Sequence, residues 1–229
     1  DCLLSRGLGD VYKRQQHYIV MADIVRSRVY DGDFLMPEFK RVVEECNRAY
    51  REKLLSPFTI TLGDEFQGVA DSLRNAVEAI LFLEDRLLTV HPAFSLRYVL
   101  VYGAIDTPVN PDIAHGMAGP GLTAAREALA RKRRGRLRFQ LDIPDHPYSE
   151  EMQMLFRLLE LLSAHWKQKD YGLIKELLVN SSDMAVAALF EKTASQIWKR
   201  RKTLQIEEFT SVKELLMRTV DYCERDRHA

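Results

Sequence analysis

The sequence predicts an α+β protein, a ferredoxin-like βαββαβ core with an added αβ unit, followed by a small all-α domain. Three observations carry this. Short β-rich runs alternate with amphipathic stretches as far as about residue 143. Two of those runs are separated only by Gly63-Asp64, the chemistry of a tight hairpin turn. Beyond Pro144 and Pro147 every periodic segment has helical spacing.

Tyr18–Ile24 (YIVMADI) is apolar and β-branched, and reads as a buried first strand. Pro37 suits a first helical position, and Phe39, Val42, Val43, Cys46 and Tyr50 recur at helical spacing up to about Leu54. Pro57 ends that pattern. Phe58, Ile60 and Leu62 then alternate with threonines, and Gly63-Asp64 joins them to Glu65–Ala70 as a two-residue hairpin. Ser72 can cap a helix reaching about Val90. Ser95–Tyr102 is the next strand, a Gly/Pro-bearing loop leads to a helix over 122–132, and residues 137–143 close the region as a strand. Residues 151–166 form a connecting helix. The domain limits expected are 16–147 for the mixed domain, 148–166 for the connector and 167–229 for the helical domain.

Residues 1–15 (DCLLSRGLGDVYKRQ) have no period and no strand or helix signal. They resemble translated sequencing-adaptor read-through more than designed protein; a native flexible arm is the alternative. They do not enter the fold reasoning.

The 229 residues hold 33 Lys+Arg against 33 Asp+Glu and 46% hydrophobic residues, which excludes wholesale disorder and a uniformly basic coat. No apolar run is long enough to span a membrane. Cys2, Cys46 and Cys223 have neither metal-ligand nor redox spacing, as expected of a cytoplasmic protein. Neutrality is a cancellation. Residues 126–138 carry seven basic side chains and one acid, and 167–205 carry eight basic against four acidic. The first run suits a triphosphate or nucleic-acid backbone, or equally a solvated helix end.

Asp23 in the first strand and Asp64 at the hairpin tip come from elements that neighbour each other in this topology. Two convergent carboxylates suit Mg²⁺ or Mn²⁺, which take hard oxygen ligands and leave positions open for phosphate oxygens. Turn chemistry alone also explains Asp64, and loop capping explains Asp23.

Four stretches occur in order: MADIVRSR at 21–28, TLGDEFQG at 61–68, LRYVLVYGAID at 96–106 and HGMAGPGLTAAREAL at 115–129. Together they resemble the catalytic domain of class III nucleotidyl cyclases, most closely that of SatD-family proteins, where the domain precedes a helix-turn-helix. The resemblance implies a class III cyclase-like fold, metal binding by Asp23 and Asp64, and Arg126 as the catalytic arginine that stabilises charge on the transferring phosphate of a nucleoside triphosphate. It also implies a homodimer. Two positions depart from the pattern. Ile60 stands where a base-reading lysine is expected and Leu122 where an asparagine positions the ribose. An aliphatic side chain can do neither. Leu62–Phe66 (LGDEF) is similar to the GGDEF signature too, but lacks its first glycine.

In the helical domain, Leu173–Leu178 make one short helix, Ser182 or Asp183 can cap a second, and Thr193 a third over 194–205. This resembles a helix-turn-helix, in which Ser195 and Gln196 read bases of double-stranded DNA and Lys199, Arg200, Arg201 and Lys202 hold phosphates. The turn lacks the frequent glycine. Trp198 is expected to pack inward. A helical bundle with a charged outer face explains the same residues. The final helix, 209–222, is expected to pack on this domain or on a second chain. The reading is a DNA-binding transcriptional regulator with a degenerate or nucleotide-sensing cyclase-like domain. The alternatives are an active metal-dependent cyclase with an interaction tail and a catalytically dead interaction domain.

Overall fold

A computed structural model describes residues 15–30, 32–61, 63–90, 93–131 and 137–228. The tail at 1–14 and most of the basic run, 132–136, lie outside the described residues. The chain runs β1 (Gln15–Ile24), α1 (Gly32–Ala49), β2 (Leu54–Ile60), β3 (Glu65–Ala70), α2 (Leu73–Leu87), β4 (Leu96–Ile105), α3 (Pro120–Ala130) and β5 (Phe139–Asp142). Then follow α4 (Ser149–Ser163), α5 (Tyr171–Val179), α6 (Asp183–Leu189), α7 (Ala194–Thr203) and α8 (Ile206–His228).

The sheet order is β2-β3-β1-β4-β5. The first four strands are antiparallel, as two βαβ crossovers and one hairpin require, so the ferredoxin-like core is present. β5 joins parallel to β4 through the α3 crossover, which is the added αβ unit.

Strand alternation divides the sheet into two faces. Tyr18, Val20, Ala22 and Ile24 of β1 face α1 and α2, in a core that also takes Met152 and Phe156 of α4. Ile19 and Met21 face α3, with Val99 and Val101 of β4. α3 lies close because β4 and α3 meet glycine to glycine. A Cβ on Gly121 would stand 2.7 Å from the carbonyl carbon of Gly103.

Several boundaries differ from the sequence reading. α1 begins at Gly32, so Pro37 lies inside the helix rather than at its start. Leu35 and Phe39, one turn apart and both buried, hold that extra turn in the core; their burial outweighs the hydrogen bond Pro37 cannot donate. Pro57 falls inside β2, an edge strand with register shifts on both sides of Ser56, where a missing N–H is tolerated. The β2–β3 connection is longer than two residues: β2 ends at Ile60 and the Thr61 N–H bonds the Glu65 carbonyl at 3.0 Å. Gly63 takes φ +75° in that loop, as turn chemistry demands.

Both sheet edges are closed by carboxamides. Asn47 of α1 receives the Phe58 N–H and donates to the Phe58 carbonyl, each at 2.8 Å. Gln153 of α4 does the same on β5, to the Leu141 N–H and the Phe139 carbonyl. This satisfies backbone groups that an open edge would offer to another strand.

α8 turns back on the mixed domain. Its Leu216, Val220 and Cys223 are buried in the core shared with α2 and α4. Lys213–Asp85 at 2.8 Å and the Arg74–Asp221 pair tie it to α2. α5, α6 and α7 keep a smaller core of their own around Ile174, Leu177, Val186, Ile197 and Leu204. Among the described residues no helix is long and apolar enough to cross a membrane.

Candidate functional site

Asp23 continues the row of β1 side chains that faces α3, and stands in register with Glu65 on β3 and Arg97 on β4. It is buried at 8% exposure, and its carboxylate accepts a charge-assisted bond from the Arg97 guanidinium. Asp64 is brought alongside by its backbone. Its carbonyl accepts the Ile24 N–H at 2.9 Å, which docks the hairpin tip on the end of β1. Glu65 accepts from the Thr61 hydroxyl at 3.3 Å.

Arg126 projects from α3 onto the same face, donating to the Gln67 side-chain oxygen at 3.3 Å. Gln67 pairs with Met21, two positions along from the Asp23–Glu65 rung, or about 7 Å of strand rise. The Gln67 amide also donates to the Ala114 carbonyl, and the Ala114 N–H donates to the Thr59 hydroxyl at 2.9 Å. The segment before α3 is thereby strapped across β2 and β3. The structure thus places Asp23 and Arg126 on one sheet face, about two residues apart along the strands, with the Asp64 backbone at the end of β1. It also adds Arg97 and Gln67, which sequence reasoning missed; the β1–β4 pairing register is what reveals Arg97.

The residues do not fit a Mg²⁺ or Mn²⁺ centre in this arrangement. A divalent ion at Asp23 would sit against a guanidinium that already neutralises the carboxylate, and like charges so placed repel. No group of three or more His, Cys, Asp or Glu side chains suited to a metal occurs among the described residues. The two departures are explained by packing. Leu122 is buried between α3 and the sheet, and Ile60 packs half-buried on the opposite core.

In the helical region, α6 and α7 are joined by residues 190–193, with Glu191 at φ +52°. Glu191 occupies the left-handed position where the missing glycine was expected. Ser182 caps α6, and Thr193 and Gln196 form a reciprocal capping box on α7. Ser195 and Lys199 face solvent; Gln196 is exposed as well, but its side-chain oxygen accepts the Thr193 N–H. Arg200 pairs with Asp170 at 2.7 Å, and Lys202 with Glu207.

Arg201 is a correction. It is 7% exposed and donates to Asp183 at 2.8 Å and to the Leu177 and Asn180 carbonyls, each at 2.9 Å. That joins α5, α6 and α7, so it does not face phosphates. Trp198 is the converse. The buried positions of α7 are Ile197 and Arg201, followed by buried Leu204 at its C-cap, which turns Trp198 outward at 52% exposure, beside Ser195 and Lys202.

The profile of the SatD family matches residues 17–215. The chain belongs to the SatD family. Solved structures similar to it include the monomeric guanylyl cyclase domain of the RhoGC fusion protein from the aquatic fungus Blastocladiella emersonii. That match has 14% identity, covers 52% of this chain and 78% of the other, and has a TM-score of 0.38. The guanylate cyclase domain of RhGC from Catenaria anguillulae, in complex with GTP, matches at 14% identity over 52% of this chain and 75% of the other, with a TM-score of 0.36. No curated protein matches the SatD-family chain.

Proposed function

We propose that this SatD-family protein is a DNA-binding transcriptional regulator whose cyclase-like domain binds or once bound a nucleotide without cyclising it. The outward face of α7 carries the reading. A capped helix N-terminus presents Ser195 and Gln196, followed on the same side by Trp198, Lys199 and Lys202, behind a helix held by the Arg201 lock. Such a face suits the major groove of double-stranded DNA, with polar side chains at base edges and cations on phosphates. Two copies would read two half-sites; an apolar stripe of Met154, Leu158 and Leu161, exposed on the outer side of α4, supports pairing into a homodimer.

The experiment is a gel-shift series on genomic fragments with the parent chain and Lys199→Glu. The parent shifts a subset of fragments, and Lys199→Glu weakens binding about tenfold or more while melting normally. No shift by the parent at moderate salt overturns the reading. A second reading, an active cyclase, is favoured by Arg126 lying on the same sheet face as Asp23. Leu122, Ile60 and the Arg97–Asp23 pair argue against it. Cyclic nucleotide formed from ATP or GTP, and lost in Arg126→Ala, decides for it.

A further inference from the structure

A cavity of about 290 Å³ lies where the mixed domain meets the helices that carry α7. That equals roughly ten water molecules at ~30 Å³ each, near the lower end of small-molecule sites at about 300–1,000 Å³. Its walls are unusually aromatic: Phe94 and Phe139 from the sheet side, Trp166 and Tyr171 before and in α5, and Phe209 from α8. The Trp166 N–H is committed to the Leu204 carbonyl at 2.9 Å, and its indole packs tilted against the Phe209 ring, with centroids 4.7 Å apart. The Tyr171 hydroxyl has no partner among the described residues.

The charged lining has a definite balance. Glu84 holds Arg138 through two bonds, of 3.0 and 2.8 Å, and Asp85 holds Lys213 at 2.8 Å. Burial opposes the Arg138 charge, but Glu84 more than offsets it, so that cation stays with its partner. Glu160 is left over. Its carboxylate accepts the Arg138 backbone N–H at 3.0 Å and shares the field of the Arg138 guanidinium, which Glu84 already holds, and it makes no ion pair of its own among the described residues. Three carboxylates, Glu84, Asp85 and Glu160, thus share two cations, Arg138 and Lys213, and an acidic lining beside aromatic side chains is the chemistry that holds an organic cation.

We propose that this cavity is a binding site for a small organic cation with a flat, apolar body, its ammonium on Glu160 and its body between the aromatic walls. Trp166, Tyr171 and Phe209 line it and also flank α5 and the end of α7, so an occupant touches both parts of the molecule. The proposal does not depend on what α7 binds.

The test uses the full chain and 2-phenylethylamine as probe, with 2-phenylethanol and 3-phenylpropionate as neutral and anionic analogues, read by ligand-observed NMR and calorimetry. The amine binds saturably, and the alcohol and the acid bind at least about tenfold more weakly. Glu160→Gln keeps the acceptor for Arg138 and costs the amine about tenfold. Ser163→Phe, which fills the cavity, removes binding of the amine; Ala164→Leu serves if that variant does not fold. Absence of saturable amine binding up to roughly 10 mM overturns the proposal. So does equal or tighter binding of the acid, or amine binding that both variants leave unchanged.

Discussion

Replacing Arg201 with methionine separates two roles that one basic residue on α7 could have. Methionine keeps an unbranched chain of similar length, so the packing loss is small and the effect isolates the guanidinium. Three hydrogen bonds vanish, one of them to a carboxylate. Removing one partner of a buried pair costs about 3–5 kcal/mol, because the other charge is stranded. Asp183 is 23% exposed and regains some water, which brings the expectation to about 3 kcal/mol. For a protein of this size that lowers the midpoint of thermal unfolding by roughly 6–12 °C. The assay is intrinsic fluorescence during heating. The sequence has 2 tryptophans, Trp166 and Trp198, and both lie in the helical region, so the signal reports on the affected part. Lys199→Met, on the exposed face of the same helix, stays within about 0.5 kcal/mol of the parent. If Arg201→Met unfolds within about 1 °C of the parent yet loses DNA binding, the lock is the wrong account and the residue faces phosphate.

Three further outcomes follow from local geometry. Gly121→Ala puts a Cβ 2.8 Å from Ile19 Cδ1 as well as against Gly103, so α3 must lift from β4; the loss is about 1–3 kcal/mol by urea unfolding. Glu191→Gly relieves a left-handed backbone that costs an ordinary residue about 1 kcal/mol, and the urea midpoint rises. Burial pushes the Cys46 thiol up from 9.0 to about 12, so native protein at pH 8 resists iodoacetamide at Cys46 and reacts there only after denaturation. The sign for stability follows from the neutral form being favoured in the folded state. The contribution is intact below pH 9, is lost as pH rises from 9 to about 12, and disappears in Cys46→Ala.

Period and turn chemistry made the architecture legible. The continuous apolar run of β1, the helical spacing of α1 and the Ser72 and Thr193 caps survive in the structure because each is a local property of consecutive residues. What local pattern could not reach is pairing. Arg97 lies 74 residues from Asp23 and meets it only through the β1–β4 register. Asn47 and Gln153 carry no sequence signal of their own, and only the sheet edges beside them disclose their use. Trp198 reads as inward because a lone aromatic on a helix usually packs in the core; with Arg201 inside, the helical period turns Trp198 out. One buried arginine reverses both assignments.

Most of the positive charge on α7, within the basic stretch 167–205, is already neutralised inside the protein. Arg201 is inside, Arg200 is paired with Asp170, and Lys202 is paired with Glu207. Among the basic residues of α7, Lys199 alone has no acidic partner among the described residues. Counterion release scales with the number of phosphates neutralised, so a helix with one unpaired cation draws little sequence-independent affinity from charge. If this face reads DNA as proposed, recognition would lean on Ser195, the free amide hydrogens of Gln196 and the exposed ring of Trp198, or on Arg200 and Lys202 exchanging a carboxylate for a phosphate. An exchange of that kind replaces one charge-assisted bond with another and adds specificity of position without much gain in energy. On the proposed reading, Asp170 and Glu207 would therefore tune how strongly this helix favours nucleic acid over solvent, although neither would touch it.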